Sequence, residues 1–274
     1  FLSPQGGGVG VEVVQLQAGS EEPIRGILMA LSFDGVDDVA NHGDIAAMDG
    51  ASALTYGGWV RQTTLKASIA LIHKLLDNAS RGTGIVGGAT ATKIRCYVDP
   101  GTGNGVGDTT NAVLTANTWQ HLMMVFDGGG ATNADKLKLY IGGISVPFTF
   151  TGTIPATTPS NTATFRTQGS NDLVLIGQLY AGHIKAWTAA LTAAEVFQEM
   201  NNVRPIRTAN LLVWSPYIDG PNARDYSGNG NHGTVTGALM AAGPPQIGGE
   251  RRFHATKHSR RQIRTGLWGQ RILP

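Results

Sequence analysis

The stretch Leu31-Ser32-Phe33-Asp34-Gly35-Val36-Asp37-Asp38-Val39 decides how the rest of this chain is read. It is the first of six short signatures that follow one another in a fixed order. After it come Leu54-Thr55 to Trp59-Val60, Asn117-Thr118-Trp119-Gln120-His121 and Leu137-Lys138-Leu139-Tyr140-Ile141-Gly142-Gly143. Leu173 to Gly177 and Ala190-Leu191-Thr192-Ala193-Ala194-Glu195-Val196 complete the set. From Leu31 onward, apolar segments of four to eight residues alternate with clusters of Gly, Asn, Asp and Thr, which is the pattern of a β-sandwich.

Taken together and in that order, the signatures resemble the laminin-G-like domain of the concanavalin A-like lectin/glucanase superfamily, over roughly residues 29 to 200. The resemblance implies an all-β, two-sheet antiparallel jelly-roll sandwich with one short helix after the late strands. It also implies a face or rim that binds carbohydrate or protein. It is more specific for fold than for function, because one fold hosts many sites.

Composition agrees with this class. The chain has 274 residues, 38 glycines and only 15% charged residues, and no apolar run approaches the ~20 residues needed to span a bilayer as a helix. One main domain with extensions is expected: residues 1–28 as an N-terminal extension, 29–249 as the sandwich and 250–274 as a basic tail. The single cysteine, Cys96, excludes an internal disulfide and a thiolate metal cage. In Ile94-Arg95-Cys96-Tyr97-Val98 it shares a strand face with Ile94 and Val98 and reads as a core thiol. The net charge of +2 hides a segregation. Residues 250–274 carry seven basic side chains against Glu250, a net of +6, which leaves −4 on the remainder.

Local patterns place several elements. In Leu137 to Ile141, Leu137, Leu139 and Ile141 point one way and Lys138 and Tyr140 the other, as in a half-buried strand. Gly142-Gly143 then supplies two residues able to take positive φ, as a type I′ hairpin needs. Trp119 to Phe126 is apolar on both faces and reads as a central, doubly covered strand. Thr192-Ala193-Ala194-Glu195 is a capping box that opens a helix carrying Val196, Phe197 and Met200, and Pro205 stops it.

Leu211 to Tyr217, followed by Asp225-Tyr226-Ser227-Gly228-Asn229-Gly230-Asn231-His232-Gly233-Thr234-Val235, looks like the opening of a laminin-G-like domain displaced to its end. Either the domain is circularly permuted and residues 211–240 supply its missing strands, or a second copy begins there. Permutation is favoured because two isolated strands cannot bury an apolar face. Residues 1–28 carry no legible secretion signal. They read either as an extension upstream of Met29 or as a short strand or linker around Val9 to Leu16.

Catalytic readings fare poorly. Retaining glucanases of this fold face two carboxyls across the scissile bond at ~5–5.5 Å, yet the chain has no Glu from Pro23 to Ala194. No H-E-x-x-H, no G-x-S-x-G elbow and no P-loop ending occurs. The chain is therefore expected not to be an enzyme. Ca²⁺ is the one candidate cofactor, with Asp34, Asp37, Asp38 and Asp127 as ligands and Asn133 or Asp135 as auxiliaries, since a hard cation takes oxygen donors. Asp34-Gly35 and Asp127-Gly128 are equally ordinary turn dipeptides. Among the aromatics, Trp59, Trp119 and Trp187 match core positions, whereas Tyr180, Trp214, Tyr217 and Tyr226 lie near loops and are the candidate ligand-binding rim.

The expected function is a non-catalytic binding module that recognises glycan or protein at a cell or virion surface. The alternative is a structural or assembly subunit, a phage virion decoration or fibre protein whose basic tail docks on an assembly partner rather than on nucleic acid. A glycoside hydrolase is the third reading.

Overall fold

The computed structural model describes residues 29–76, 81–101, 105–169 and 176–245. The expectations for residues 1–28, for 173–175 of the fifth signature and for the tail at 250–274 lie outside the described residues.

In chain order the strands are β1 (Met29–Phe33), β2 (Val39–Asn41), β3 (Ala53–Gln62), β4 (Ala70–Leu75), β5 (Gly82–Gly87), β6 (Ile94–Asp99), β7 (Val106–Thr109) and β8 (Gln120–Asp127). A short helix α1 (Asn133–Lys136) leads into β9 (Leu137–Ile141), β10 (Ile144–Val146), β11 (Phe148–Thr151), β12 (Arg166–Thr167) and β13 (Leu179–Trp187). Helix α2 (Ala193–Met200), β14 (Leu211–Ser215), β15 (Thr234–Thr236) and β16 (Leu239–Ala242) follow.

These strands form two antiparallel sheets, the jelly-roll sandwich expected. Sheet A runs β10-β9-β8-β3-β13-β1-β16, and sheet B runs β11-β7-β6-β5-β4-β12-β2-β15. Strand β14 also pairs with β13. β3 lies along one side of β13 for its full length, while β1 takes Leu179 to Ala181 and β14 takes Ile184 to Trp187 on the other side. β1 and β14 therefore sit end to end in one slot. Between their pairings β13 bulges, and His183 there adopts φ 56°.

The segment after α2 contributes to both sheets: β14 to A through β13, β15 to B through β2, and β16 to A through β1. Leu212, Val213, Tyr217, Ala223 and Ala238 from this segment join the central core. The run Asp225 to Gly233 between these strands is a polar knot. The Asp225 carboxylate accepts from the amides of Trp214, Ser227 and Asn231, and the Asn231 side chain donates to Leu212 O. That is why the segment is dense in Asn, Gly and Asp.

The core lies between the sheets, where Leu31, Phe33, Leu54, Tyr56, Leu122, Met124 and Phe126 meet Ala40, Ile72, Ile85, Cys96 and Val98. Cys96 is buried as expected, and burial pushes its thiol pKa up. β8 is covered on both faces: Leu122, Met124 and Phe126 enter this core, while Met123 and Val125 join a second cluster outside sheet A. That cluster includes Tyr140, Trp187, Leu191 and Val196, so α2 roofs one end of the outer face of sheet A. The hairpin after β9 has Gly142 at φ 58° and Gly143 at φ 79°, both positive as a type I′ turn requires.

The Thr192–Glu195 capping box forms in full. A second one, Thr132 with Asp135, opens α1, which the sequence pattern did not reveal. Four residues are too few for an apolar stripe to emerge. Trp119 also departs from expectation: it stands one residue before β8 and is half-buried, whereas Trp59 and Trp187 are buried.

Candidate functional site

Tyr180 pairs directly with Arg61 across β13 and β3. One step beyond the Val60–Gln120 pair of β3 and β8, Trp119 stands on the other side of Arg61. The three side chains form a cross-strand row on the outer face of sheet A, at the end away from α2. The Arg61 guanidinium carbon lies 4.0 Å from the Tyr180 ring centroid and 5.4 Å from that of Trp119, and the two rings meet edge to face at 6.3 Å. All three residues are half-buried. Ring quadrupoles attract a cation over their faces, which is what fixes a long arginine side chain here.

Arg61 makes no hydrogen bond or ion pair with the described residues, and its Nε is buried without an acceptor. Beside it on β3, Trp59 packs edge to face on His121 at 5.4 Å. His121 is 2% exposed and His183 5%. The Nδ1 of His121 and the Nε2 of His183 are buried without partners. Burial lowers the His121 pKa to about 3, assisted by the charge of Lys185, and burial lowers that of His183 to about 4. His121 is thus buried with one ring nitrogen unsatisfied.

The candidate rim disperses. Tyr180 joins the row just described. Tyr217 does not face solvent at all: it is 1% exposed, and its hydroxyl lies 3.1 Å from Thr167 Oγ1. The reason is that the 211–217 segment is a core strand with its following turn rather than a loop. Trp214 and Tyr226 pair with each other at 5.7 Å, with the Arg224 guanidinium 5.2 Å from the Tyr226 ring and the Tyr226 hydroxyl bonded to Asp219. Trp214 is opposite Lys185, five residues along β13 from Tyr180, or roughly 16 Å at strand rise. Arg61 and Trp119 were missed in the sequence. The signal for Arg61 was a cation two residues after Trp59 in an otherwise apolar strand, hence on the same face.

The calcium candidates split as well. Carboxylate oxygens of Asp34, Asp37 and Asp38 lie within 4.8 Å of one another. Asp127 caps the far end of sheet A opposite Ala53, whereas Asp34 follows Phe33, whose row passes through Leu179 to Gln62. The length of β3 separates them, roughly 30 Å. Asp127 instead accepts the Gly129 amide. Asn133 binds the backbone of Gly152 and Ile154, and Asp135 caps α1. Within the triad, Asp38 accepts the Asp34 amide at 2.6 Å, and burial, with repulsion from Asp34 and Asp37, holds its pKa above the usual carboxylate range. A Cβ on Gly237 would stand 1.8 Å from its Oδ1, so Asp38 is wedged beneath the β15–β16 turn. Three carboxylates bring six oxygens, two of which already serve backbone amides, so a Ca²⁺ gathering six to eight would need further oxygens from backbone or water.

The profile of the concanavalin A-like lectin/glucanase superfamily (Laminin_G_3) matches residues 34–197, more than half of the chain. The chain belongs to that superfamily. The match spans the row Arg61–Trp119–Tyr180 and ends in α2, so β14 to β16 lie beyond it. No curated protein matches the sequence. Among solved structures, this superfamily member is similar to a candidate carbohydrate binding protein from Bacteroides ovatus ATCC 8483, with TM-score 0.60 and 14% identity over 79% of this chain. It spans 60% of that protein's length. It is also similar to the heptameric SAP-like pentraxin of Limulus polyphemus, with TM-score 0.52 and 11% identity over 81% of this chain and 97% of that one. Identities this low establish a shared fold.

Proposed function

We propose that this domain is a non-catalytic carbohydrate-binding module and that the Trp119–Arg61–Tyr180 row is its platform. The observation that carries the reading is an arginine held by two half-buried rings, with no acceptor among the described residues, on the part of the sheet face that α2 leaves unroofed. A pyranose lays its C–H face on such rings, and a fixed donor beside them sets its orientation. The superfamily assignment and the likeness to the Bacteroides ovatus protein point the same way. What supports the non-catalytic half is the engagement of the two described glutamates: Glu195 caps α2 and pairs with Arg207, and Glu199 is buried against Lys185. A glycan ligand fits a place at a cell or virion surface.

The test is a glycan array probed with the wild type and with Trp119→Ala and Tyr180→Ala. Specific binding that both variants lose, with the melting temperature kept within a few degrees, supports the platform. A silent array, or binding that Trp214→Ala abolishes and Trp119→Ala does not, overturns it.

A further inference from the structure

We infer that the platform selects an acidic sugar, whose carboxylate is bound by Arg61; the inference rests on the platform reading above. The Tyr180 ring lies 4.0 Å and the Trp119 ring 5.4 Å from the guanidinium carbon, and with only 6.3 Å between their centroids the two rings border it from adjacent directions rather than from opposite faces. A cation–π contact supplies no oxygen acceptor, so the N–H bonds that face neither ring stay open to one. Those N–H groups find no oxygen among the described residues. Another partly buried arginine of the sandwich behaves differently: Arg95 meets both oxygens of Asp108 at 2.8 and 2.9 Å. Among the described residues Arg61 has no such carboxylate within ion-pair reach, and its Nε is buried without an acceptor.

A buried donor without an acceptor carries an unmet desolvation penalty, and a cation held in place without its counter-charge is preorganised for an anion. A carboxylate matches the planar fork, and a bond of this kind between two charges is about twice as strong as a neutral one. The two rings beside it set the class of molecule that bears the carboxylate. Trp119 and Tyr180 are half-buried and 6.3 Å apart, so they suit ring-shaped apolar faces next to the charge. Uronic and sialic acids combine the two features. A nucleic acid chain is a poorer match, because the row offers one cation where a phosphate backbone engages several.

Calorimetric titration of the full chain with paired probes tests this: an oligogalacturonide against its methyl ester, and 3′-sialyllactose against lactose. At least one acid should bind tighter than its neutral partner by about tenfold or more, equivalent to ~1.4 kcal/mol. Raising the salt should narrow the gap. Arg61→Gln should erase it while leaving the melting temperature within a few degrees, and Arg61→Lys should restore only part, since it keeps the charge without the fork. If the acid and its neutral partner bind alike, and Trp119→Ala weakens both, the platform stands and the acid preference is wrong. If a gap exists but Arg61→Gln leaves it intact, another group carries the charge recognition and the inference falls. Tighter binding of a single-stranded oligonucleotide than of any acidic sugar likewise overturns it. If none of the four sugars binds, the acid preference fails, and the array described above decides separately whether the platform does too.

Discussion

Lys185 Nζ stands 2.8 Å from Glu199 Oε2, and the two side chains are 2% and 0% exposed. The pair fastens the end of α2 to the outer face of sheet A. Lys185 also donates to the carbonyls of Glu199 and Asn202, and the other Glu199 oxygen accepts the amides of Ile206 and Arg207. Every polar group of the pair is therefore engaged, and removing one partner strands the other.

Glu199→Ala should thus destabilise the domain by about 3–5 kcal/mol in chemical denaturation, as breaking a buried ion pair does. The double replacement Lys185→Met with Glu199→Leu should lose clearly less than the sum of the single changes, because no uncompensated charge remains. Additive losses would show that the two charges do not act as a unit.

The tryptophans should divide by position. Trp187 is fully buried and its Nε1 donates to Arg207 O at 2.8 Å, so Trp187→Ala should cost about 3–5 kcal/mol. Trp119, half-buried on Arg61, should cost about 1 kcal/mol or less when truncated. Equal losses in urea unfolding would place Trp119 in the core after all.

Three imidazoles predict an acid-sensitive stability. Burial lowers His73 to about 4, His121 to about 3 and His183 to about 4, against an ordinary value of 6.5. At pH 7 all are neutral in both folded and unfolded chains and contribute nothing. Below 6.5 the unfolded chain takes up protons that the folded chain refuses. Stability should therefore fall as pH drops from about 6.5 toward 4, by at most on the order of 3 kcal/mol per imidazole. A melting temperature that stays flat from pH 7 to pH 5 would contradict this, and His121→Phe should shallow the slope.

The segregated charge gives a simple chromatographic expectation. With +6 in residues 250–274 and −4 elsewhere, ending the chain at residue 249 should convert a cation-exchange binder into an anion-exchange binder near neutral pH. Ending it at residue 204 should instead abolish soluble folding, because Leu212, Val213, Tyr217 and Ala238 leave the core. A cooperative melt in the shorter form would mean that β14 to β16 are dispensable.

Much of this was legible in the chain itself. Alternation in Leu137 to Ile141, the Gly142-Gly143 turn and the Thr192–Glu195 box each follow from local rules, and each stands where those rules put it. The site was less legible for a physical reason: it is a cross-strand row, assembled from β3, β13 and the residue before β8, which are far apart in sequence. Tyr217 misled because a tyrosine just past a strand looks like a loop residue. Its hydroxyl reaches Thr167 only once β14 is docked. Asp34, Asp37 and Asp38 do come together, whereas Asp127 misled because a residue's type says nothing about which end of a sheet it occupies.

The shared slot beside β13 also bears on the order of events during synthesis. β1, the first described strand to emerge from a ribosome, lies between β13 and β16, and β16 is the last. Its companion in the slot, β14, is made only after α2. Pairings across so much chain carry a large loop-closure entropy and form late. Until β16 appears, β1 has an open edge, the kind of edge that recruits stray strands. The nascent domain therefore spends nearly all of its translation as an incomplete sandwich, so slowing synthesis should offer it little chance to fold on the way, and holdase chaperones should find their target at β1.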